Sequence, residues 1–327
     1  MHSYLLATDE AGYGPNLGPL VVGCSLWRLP ENVDENNLGE LLAPVVIEQP
    51  DRNAPEAVVI GDSKNLYSSH SAKGITHLER TVLSTLGTLG SLPKDWRGTF
   101  QQLAPSLGDV AWNQPWHANF SREVPEEVLT SAESATTTLR DKFSATGIAL
   151  CGLRARVLFP HVFNQQLRDV AGDNKSTLLS LTTFSLLQEM LAMLPPEDAS
   201  VPVRVVCDKH GGRSNYNPFF VEFFPGEFPQ PIVEAREEST YHLSAGREMH
   251  FSFFSKGERF TPVALASLVA KYLRELAMFA WNDYWTQEVP GLRGTAGYPT
   301  DAKRFLAEMY EAAQARDIHK EDFWRVK

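Results

Sequence analysis

The first thirty residues place a glycine- and proline-rich stretch between two apolar runs. Residues 4–8 form a short apolar run that stops at two acidic residues, and residues 20–27 are apolar and partly β-branched. The segment between them, residues 12–19, is dominated by turn-forming residues. Short apolar runs bounded by glycine and proline are typical of buried strands. The N-terminus is therefore predicted to form an antiparallel hairpin with a wide, structured connection.

Composition limits the class of protein. The 327 residues are 43% hydrophobic and 21% charged, which is enough to bury a large core and excludes a disulfide-stapled mini-domain. The net charge of −10 argues against broad attraction to polyphosphate, but not against a local basic groove or a metal-mediated phosphate site. Cys24, Cys151 and Cys207 lie far apart and predict reduced thiols. Because the sequence shows no signal peptide and no long apolar run, a cytoplasmic location is expected.

Helical and strand-like patterns are mixed along the rest of the chain. Helices are predicted over residues 72–86, 129–143, 176–194 and 261–281, and strands over residues 148–159, 201–207, 232–236, 240–243 and 250–254. This mixture predicts an α/β fold with a mixed sheet flanked by helices, plus a helical C-terminal portion. We expect residues 1–258 to form a core and residues 259–327 to complete the same domain.

Residues 92–125 lose the regular period of the segments around them. They contain several prolines and three tryptophans, Trp96, Trp112 and Trp116. We predict an insertion with its own small cluster, or a lid. The tryptophans would stack on nucleic acid or, as aromatic residues in proline-rich insertions more often do, bury one another.

Acidic residues recur where predicted strands or loops meet glycine. Asp9 and Glu10 precede Gly12, Asp208 precedes a glycine pair, and Glu258 follows Gly257. Phosphoryl-transfer sites commonly gather carboxylates from separate strands around one or two Mg²⁺. Side chains alternate along an ideal strand, so Asp9 and Glu10 would face one site only if the pleat breaks there. Taken alone, the pattern also fits solvated turns.

Six segments in order resemble motifs of the type 2 ribonucleases H, the ribonuclease HII/HIII family. The first, D-E-A-G-Y-G-P-N-L-G-P-L-V-V from Asp9, is similar to the family signature D-E-A-G-R-G-P-x-x-G-P-V-V. The others are D-S-K-N-L from Asp62, V-V-C-D ending at Asp208, K-G-E followed by P and A-S-L-V-A-K ending at Lys271, G-Y-P-T from Gly297, and I-H-K with Phe323. Together they span nearly the whole chain.

The resemblance implies an RNase H-like fold and a metal-dependent endoribonuclease. Such an enzyme would cut the RNA strand of RNA/DNA hybrids, or ribonucleotides embedded in duplex DNA, to 3′-OH and 5′-phosphate ends. By the same resemblance, two Mg²⁺ or Mn²⁺ ions would be bound by four acids: Asp9, Glu10, Asp208 and Glu258. Glu10 would also sense the ribose 2′-OH, which distinguishes RNA from DNA.

The resemblance also implies a set of residues that contact nucleic acid. Ser63, Lys64 and Lys271 would hold backbone phosphates, and Tyr298 would stack on a sugar near the cleavage point. Gly12 and Gly14 would flank the residue that helps to read the junction between ribonucleotide and DNA. In bacterial ribonucleases HII that residue is an arginine, but here it is Tyr13, which cannot make the bidentate phosphate contact of a guanidinium.

Other positions also depart from the family pattern. The fourth acid is Glu258 where the family has aspartate, and one residue is missing between Pro262 and Ser267, so alignment from the helix side would put Gly257 at the acid position. Lys209 follows Asp208 where the family usually has glycine. His210 and Arg213 would contact phosphate or serve only as loop residues.

Two other functions are consistent with parts of the sequence. The glycines at 12, 14 and 18 suggest a dinucleotide-binding loop, but Pro15 and Pro19 interrupt the helix that such a loop must open. A catalytically silent or altered RNase H-fold protein, binding nucleic acid or a protein partner, is the stronger alternative. The retention of Asp9, Glu10 and Asp208 argues against it, because crowded carboxylates without a metal repel one another.

Overall fold

A computed structural model describes residues 2–67, 75–108 and 112–326, apart from the side chains of residues 64 and 65. Its strands are β1 (His2–Ala11), β2 (Leu20–Pro30), β3 (Val46–Ile47), β4 (Val58–Val59), β5 (Ala149–Leu158), β6 (Val203–Asp208), β7 (Gln230–Glu234), β8 (Glu238–Ser244) and β9 (Glu248–Phe254). Its first six helices are α1 (Leu38–Leu42), α2 (Ser63–Leu66), α3 (Thr76–Leu89), α4 (Trp96–Leu103), α5 (Pro115–Ala118) and α6 (Glu126–Thr146). The other six are α7 (Pro160–Asp169), α8 (Lys175–Leu191), α9 (Asn217–Phe223), α10 (Thr261–Glu288), α11 (Pro299–Gln314) and α12 (Lys320–Phe323).

The main sheet is mixed and has seven strands in the described part of the chain. Their order is β5-β2-β1-β6-β9-β8-β7. Strands β1, β6 and β9 run parallel, whereas β2 and β5 on one side and β8 and β7 on the other pair antiparallel. The predicted α/β fold with a mixed sheet and a helical C-terminal portion is confirmed.

The predicted N-terminal hairpin is present and is longer than expected. Strand β1 pairs antiparallel with β2 along its whole length, from His2 opposite Pro30 to Ala11 opposite Val21. The apolar run ends before Asp9, but the strand does not, because the ladder continues through Asp9 and Glu10. The glycine-rich connection begins only after Ala11, so the two acids belong to the end of a regular strand.

Helices cover the sheet and bury two apolar layers. One layer includes side chains of α3, α6 and α10, and the other is formed largely by α8 and α9 against the sheet. The helix α10 crosses the N-terminal hairpin at very short range. A Cβ atom on Gly23 of β2 would lie 2.2 Å from the carbonyl oxygen of Ala266, so only glycine allows this approach. None of the described helices combines the length and the apolarity needed to cross a bilayer.

The described part of residues 92–125 is held together by aromatic contacts. Trp96 packs edge-on against Phe100, Trp112 and Phe120, with ring centroids 5.0–5.8 Å apart. An ion pair joins the segment to α3: the guanidinium of Arg122 lies 2.5 Å from the buried carboxylate of Glu79. Trp96 and Trp112 therefore pack within this segment, whereas Trp116 packs against Trp281 of α10, with ring centroids 4.8 Å apart.

The close contact between β2 and α10 predicts a large cost for one added methyl group. We expect Gly23→Ala to destabilise the protein by about 1–3 kcal/mol, because the helix backbone must move to admit the new Cβ. Gly14→Ala is the matched control, since nothing lies within 4 Å of a Cβ built there. Urea unfolding of both variants measures the difference, and equal stabilities would contradict the close contact.

Candidate active site

Three carboxylates meet at the ends of two neighbouring parallel strands. Asp9 and Glu10 lie near the end of β1, and Asp208 is the last residue of β6. The two strands pair in parallel up to Thr8 opposite Cys207, so both chains deliver their acids to the same edge of the sheet. Oxygen atoms of the three side chains lie within 4.8 Å of one another. Asp9 and Glu10 thus reach one site without a break in the strand, and the longer side chain of Glu10 helps it to do so.

Asp9 and Glu10 lie in surroundings that resist ionisation of their carboxyl groups. Asp9 is only 6% exposed. Burial raises the pKa of Asp9 to about 8, and the negative charge of Asp208 contributes to the shift. Burial and the charge of Asp9 also raise the pKa of Glu10 well above its usual range. Carboxylates that are crowded together and desolvated favour protonation unless a cation joins them.

The donors of this cluster are suited to a hard divalent cation. Asp9 Oδ1 accepts a hydrogen bond from the backbone N–H of Glu10 at 2.8 Å, whereas Asp9 Oδ2 is buried and has no hydrogen-bond partner in the described part of the protein. A buried oxygen without a donor is costly in free energy. Mg²⁺ and Mn²⁺ prefer oxygen ligands, so the residues present fit such an ion.

The structure distinguishes the roles of Gly257 and Glu258. The backbone N–H of Gly257 donates to Asp208 Oδ1 at 2.7 Å, and a Cβ at Gly257 would lie only 3.2 Å from the Asp208 backbone. Glu258 shares a cavity of about 610 Å³ with Asp208. Its charge also contributes to the raised pKa of Asp9 and Glu10. Glu258 therefore adds a fourth carboxylate near the cluster, although it lies outside the 4.8 Å group formed by the other three acids.

Two further features of the site were missed by the sequence analysis. Ser267, on α10, acts against the burial of Asp9, because its hydroxyl group favours the ionised form and so lowers the pKa of Asp9. Its position inside the A-S-L-V-A-K segment was the available signal. Glu48 and Asp62 line the same cavity as Asp208 and Glu258. No sequence pattern indicated a role for Glu48, because the polar segment around it predicts an exposed loop.

The glycine-rich connection lies against the acidic cluster. Gly12 has φ of 88°, and a Cβ there would lie 2.4 Å from the carbonyl oxygen of Pro19, so this position requires glycine. The half-buried Tyr13 follows. Burial raises the pKa of Tyr13, and the negative charge of Glu10 adds to the shift. Lys175 Nζ lies 5.1 Å from the Tyr13 ring centroid. Gly14 is exposed and open.

The residues expected to contact phosphate have different surroundings. Ser63 is buried at the start of α2, and its hydroxyl oxygen lies 3.4 Å from that of Ser267. The side chain of Lys64 falls outside the described part of the structure. Lys271 Nζ pairs with Glu275 at 3.1 Å and lies 5.0 Å from the ring centroid of Tyr67.

Tyr298 lies on the wall of a second cavity. The side chain is exposed and shares a cavity of about 600 Å³ with Tyr67 and Glu275, the two partners of Lys271. Tyr298 therefore lines this cleft, and Lys271 contacts two other residues that line it.

His210 and Arg213 have structural partners. His210 is buried, its Nδ1 lies 2.9 Å from the Ser180 hydroxyl, and burial lowers its pKa to about 3, with Arg213 contributing to the shift. The imidazole is therefore neutral at physiological pH. Arg213 donates to the Thr177 hydroxyl at 3.0 Å and lies over the ring of Phe219.

Comparison with known proteins gives matches among solved structures. No family known from sequence matches the chain. No curated protein matches it either. Ribonuclease HII of Archaeoglobus fulgidus, solved with PCNA, aligns with 99% of this chain and 94% of its own at 13% identity and a TM-score of 0.43. Bst ribonuclease HIII in complex with Mn²⁺ aligns with 99% of this chain and 66% of its own, at 14% identity and a TM-score of 0.42. Ribonuclease H2 of Pyrococcus horikoshii aligns with 98% of this chain and 92% of its own, at 14% identity and a TM-score of 0.41.

The raised pKa of Asp9 predicts a pH-dependent gain in stability from Asp9→Asn in metal-free protein. Folding holds the acid in its protonated form, so ionisation costs the native state nothing below pH 3.8 and progressively more as the pH rises through about 8. The asparagine cannot ionise. We therefore expect the variant to be more stable than the parent by on the order of 5 kcal/mol at pH 8.5 and by only about 2 kcal/mol at pH 5.

Urea unfolding in EDTA at the two pH values measures this difference. The matched control is Asp141→Asn, which removes an exposed acid from α6. Its effect should be small at both pH values. A gain for Asp9→Asn that is the same at pH 5 and pH 8.5 would contradict the raised pKa.

Proposed function

We propose that this protein is a divalent-metal-dependent endoribonuclease related to the type 2 ribonucleases H. Its substrate would be the RNA strand of an RNA/DNA hybrid, or ribonucleotides embedded in duplex DNA. The observation that carries the proposal is the convergence of Asp9, Glu10 and Asp208 within 4.8 Å at the ends of two parallel strands. The ordered motifs along the chain support the same assignment.

The metal-binding residues would be Asp9, Glu10, Asp208 and Glu258. The unpartnered Oδ2 of Asp9 is suited to become a ligand, while its Oδ1 is oriented by the N–H of Glu10. The N–H of Gly257 orients Asp208 in a similar way. Two Mg²⁺ or Mn²⁺ ions held by these residues would lower the pKa of a water molecule and offset negative charge on the departing 3′ oxygen.

Protein groups around the cluster would select and hold the substrate. Glu10 is the acid of the cluster closest in sequence to Tyr13 and would accept a hydrogen bond from a ribose 2′-OH, a group that DNA lacks. Tyr13 can stack or donate a single hydrogen bond. We propose that this tyrosine relaxes the preference for a ribonucleotide–DNA junction.

The cleft beside α10 would carry the strand away from the cluster. Ser63, Lys64 and Lys271 would contact phosphates, and Tyr298 would stack on a sugar. Lys271 would exchange its contact with Glu275 for a phosphate oxygen. We propose further that residues 259–327 complete the domain formed by residues 1–258, because α10 packs across β1 and β2.

We expect Mg²⁺ or Mn²⁺ to stabilise the parent protein and not Asp9→Asn. A ligand that binds only the native state raises the unfolding temperature, and the aspartate supplies the ligand that the amide lacks. Thermal unfolding in EDTA and in millimolar metal gives the shift, which should amount to a few degrees for the parent and for the control Asp141→Asn. An equal shift in Asp9→Asn would place the metal elsewhere.

We expect the protein to cut ribose-containing strands in a cleavage assay. Labelled RNA/DNA hybrid, DNA carrying one ribonucleotide, and all-DNA duplex are compared in Mg²⁺ and separately in Mn²⁺. The first two should be cut to 3′-OH and 5′-phosphate ends and the third left intact. Asp9→Asn and Asp208→Asn should each lose more than about 100-fold in rate, because each removes a charged ligand.

The cleavage assay includes a variant that keeps all four proposed metal ligands. Asp141→Asn should cut at the parental rate. If the parent binds the hybrid but does not cut it in either metal, the endonuclease proposal fails and the protein is a silent nucleic-acid-binding relative. The ratio of rates on the first two substrates, in the parent and in Tyr13→Arg, reports the effect of the tyrosine on junction preference.

A further inference from the structure

The strand β7 forms one edge of the seven-stranded sheet, far along the sheet from the acidic cluster. It pairs with β8 on one side and is the last strand in the order. An edge strand presents unpaired backbone N–H and C=O groups along its outer side. All five of its residues are exposed. The strand is therefore open to pairing by another extended chain.

Large apolar side chains are exposed on and around this edge. Phe228, just before the strand, is 87% exposed, and Ile232 within it is 60% exposed. Val221, on the neighbouring helix α9, is 65% exposed. These are the three most exposed large hydrophobic residues in the described structure apart from Val170, which directly follows α7. Grouped exposed apolar residues of this kind mark interaction sites.

The charge around the edge is strongly negative. Residues 221–238 contain five glutamates and a single arginine. Glu222 and Glu234 are exposed, as is Glu237, which pairs only loosely with Arg236 at 3.8 Å. An acidic border repels nucleic acid and anionic lipid, and it favours a partner that carries basic side chains.

We propose that β7 is a docking site for an extended segment of another protein in which apolar and basic residues alternate. The segment would pair with β7 as an added strand, its apolar side chains covering Ile232 and Phe228 and its basic side chains meeting the glutamates. A second copy of this chain fits poorly, because β7 against β7 would bring two acidic borders together.

The local backbone also restricts which chains can pair. Pro231 has no N–H to offer, and the register with β8 shifts between Pro231 and Val233. Proline and irregularity on an edge strand discourage indiscriminate pairing. Ile232 is the extra residue at this shift, so regular pairing is confined to Val233 and Glu234, and Ile232 contributes its exposed side chain. Attraction between the glutamates around β7 and basic side chains of the partner then provides the remaining selectivity for that partner.

The test uses the full-length protein and two labelled ten-residue peptides. In one, valine alternates with lysine, and in the other valine alternates with glutamate. Fluorescence anisotropy should show binding of the valine–lysine peptide at least about tenfold tighter than that of the valine–glutamate peptide. Hydrogen exchange should slow at the amides of residues 233–234 when the first peptide is bound, which general charge attraction would not cause.

Matched variants locate the binding. The double variant Phe228→Ser and Ile232→Ser should weaken binding of the valine–lysine peptide about tenfold, since it removes the apolar contacts. Val170→Ser removes a similarly exposed valine elsewhere and should leave binding unchanged. All of these positions are exposed, so unfolding temperatures should stay near that of the parent.

Several results would overturn the proposal. Failure of the valine–lysine peptide to bind, equal binding of the two peptides, or binding that Phe228→Ser and Ile232→Ser leave intact would each do so. Sedimentation that shows a dimer abolished by Ile232→Lys would assign the edge to a second copy of this chain instead. None of these outcomes depends on nuclease activity, which the strand cleavage assay measures separately.

Discussion

The parallel pairing of β1 with β6 is the constraint on which the site depends. It brings the acids that end the two strands to one edge of the sheet, where their oxygens lie within 4.8 Å. Buried carboxylates at this spacing repel one another, and the raised pKa of Asp9 expresses that repulsion together with the loss of water. The fold therefore maintains a local instability that the proposed divalent cation would relieve.

The surrounding packing keeps this arrangement in place. Gly23 lets α10 approach the N-terminal hairpin at backbone contact, and α10 carries Ser267 to the acids. Backbone N–H groups of Glu10 and Gly257 orient the carboxylates of Asp9 and Asp208. Stability and the proposed chemistry thus rely on the same contacts between hairpin and helix. The strand β7, at the far edge of the sheet, takes no part in these contacts, and its exposed edge is the proposed docking site.

Much of the fold was predictable from local patterns. The hairpin, the helix over α8 and the long helix α10 follow from apolar runs, turn residues and helical spacing, which depend on neighbours in the sequence. Their ends shifted by several residues, and β1 continued through Asp9 and Glu10, because pairing with β2 extends the strand beyond its apolar run. The link between Lys271, Tyr67 and Tyr298 was not visible, since it arises where distant segments pack.

The sequence by itself determined which acids are available and that they sit where strands meet glycine, because residue type and turn chemistry are local properties. Only the tertiary structure decided that Glu258 lines the same cavity as Asp208, that the N–H of Gly257 binds the Asp208 carboxylate, and that His210 is a buried neutral group. Burial, pKa and the distance between carboxylates depend on which strands become neighbours. That choice follows from the packing of the whole chain.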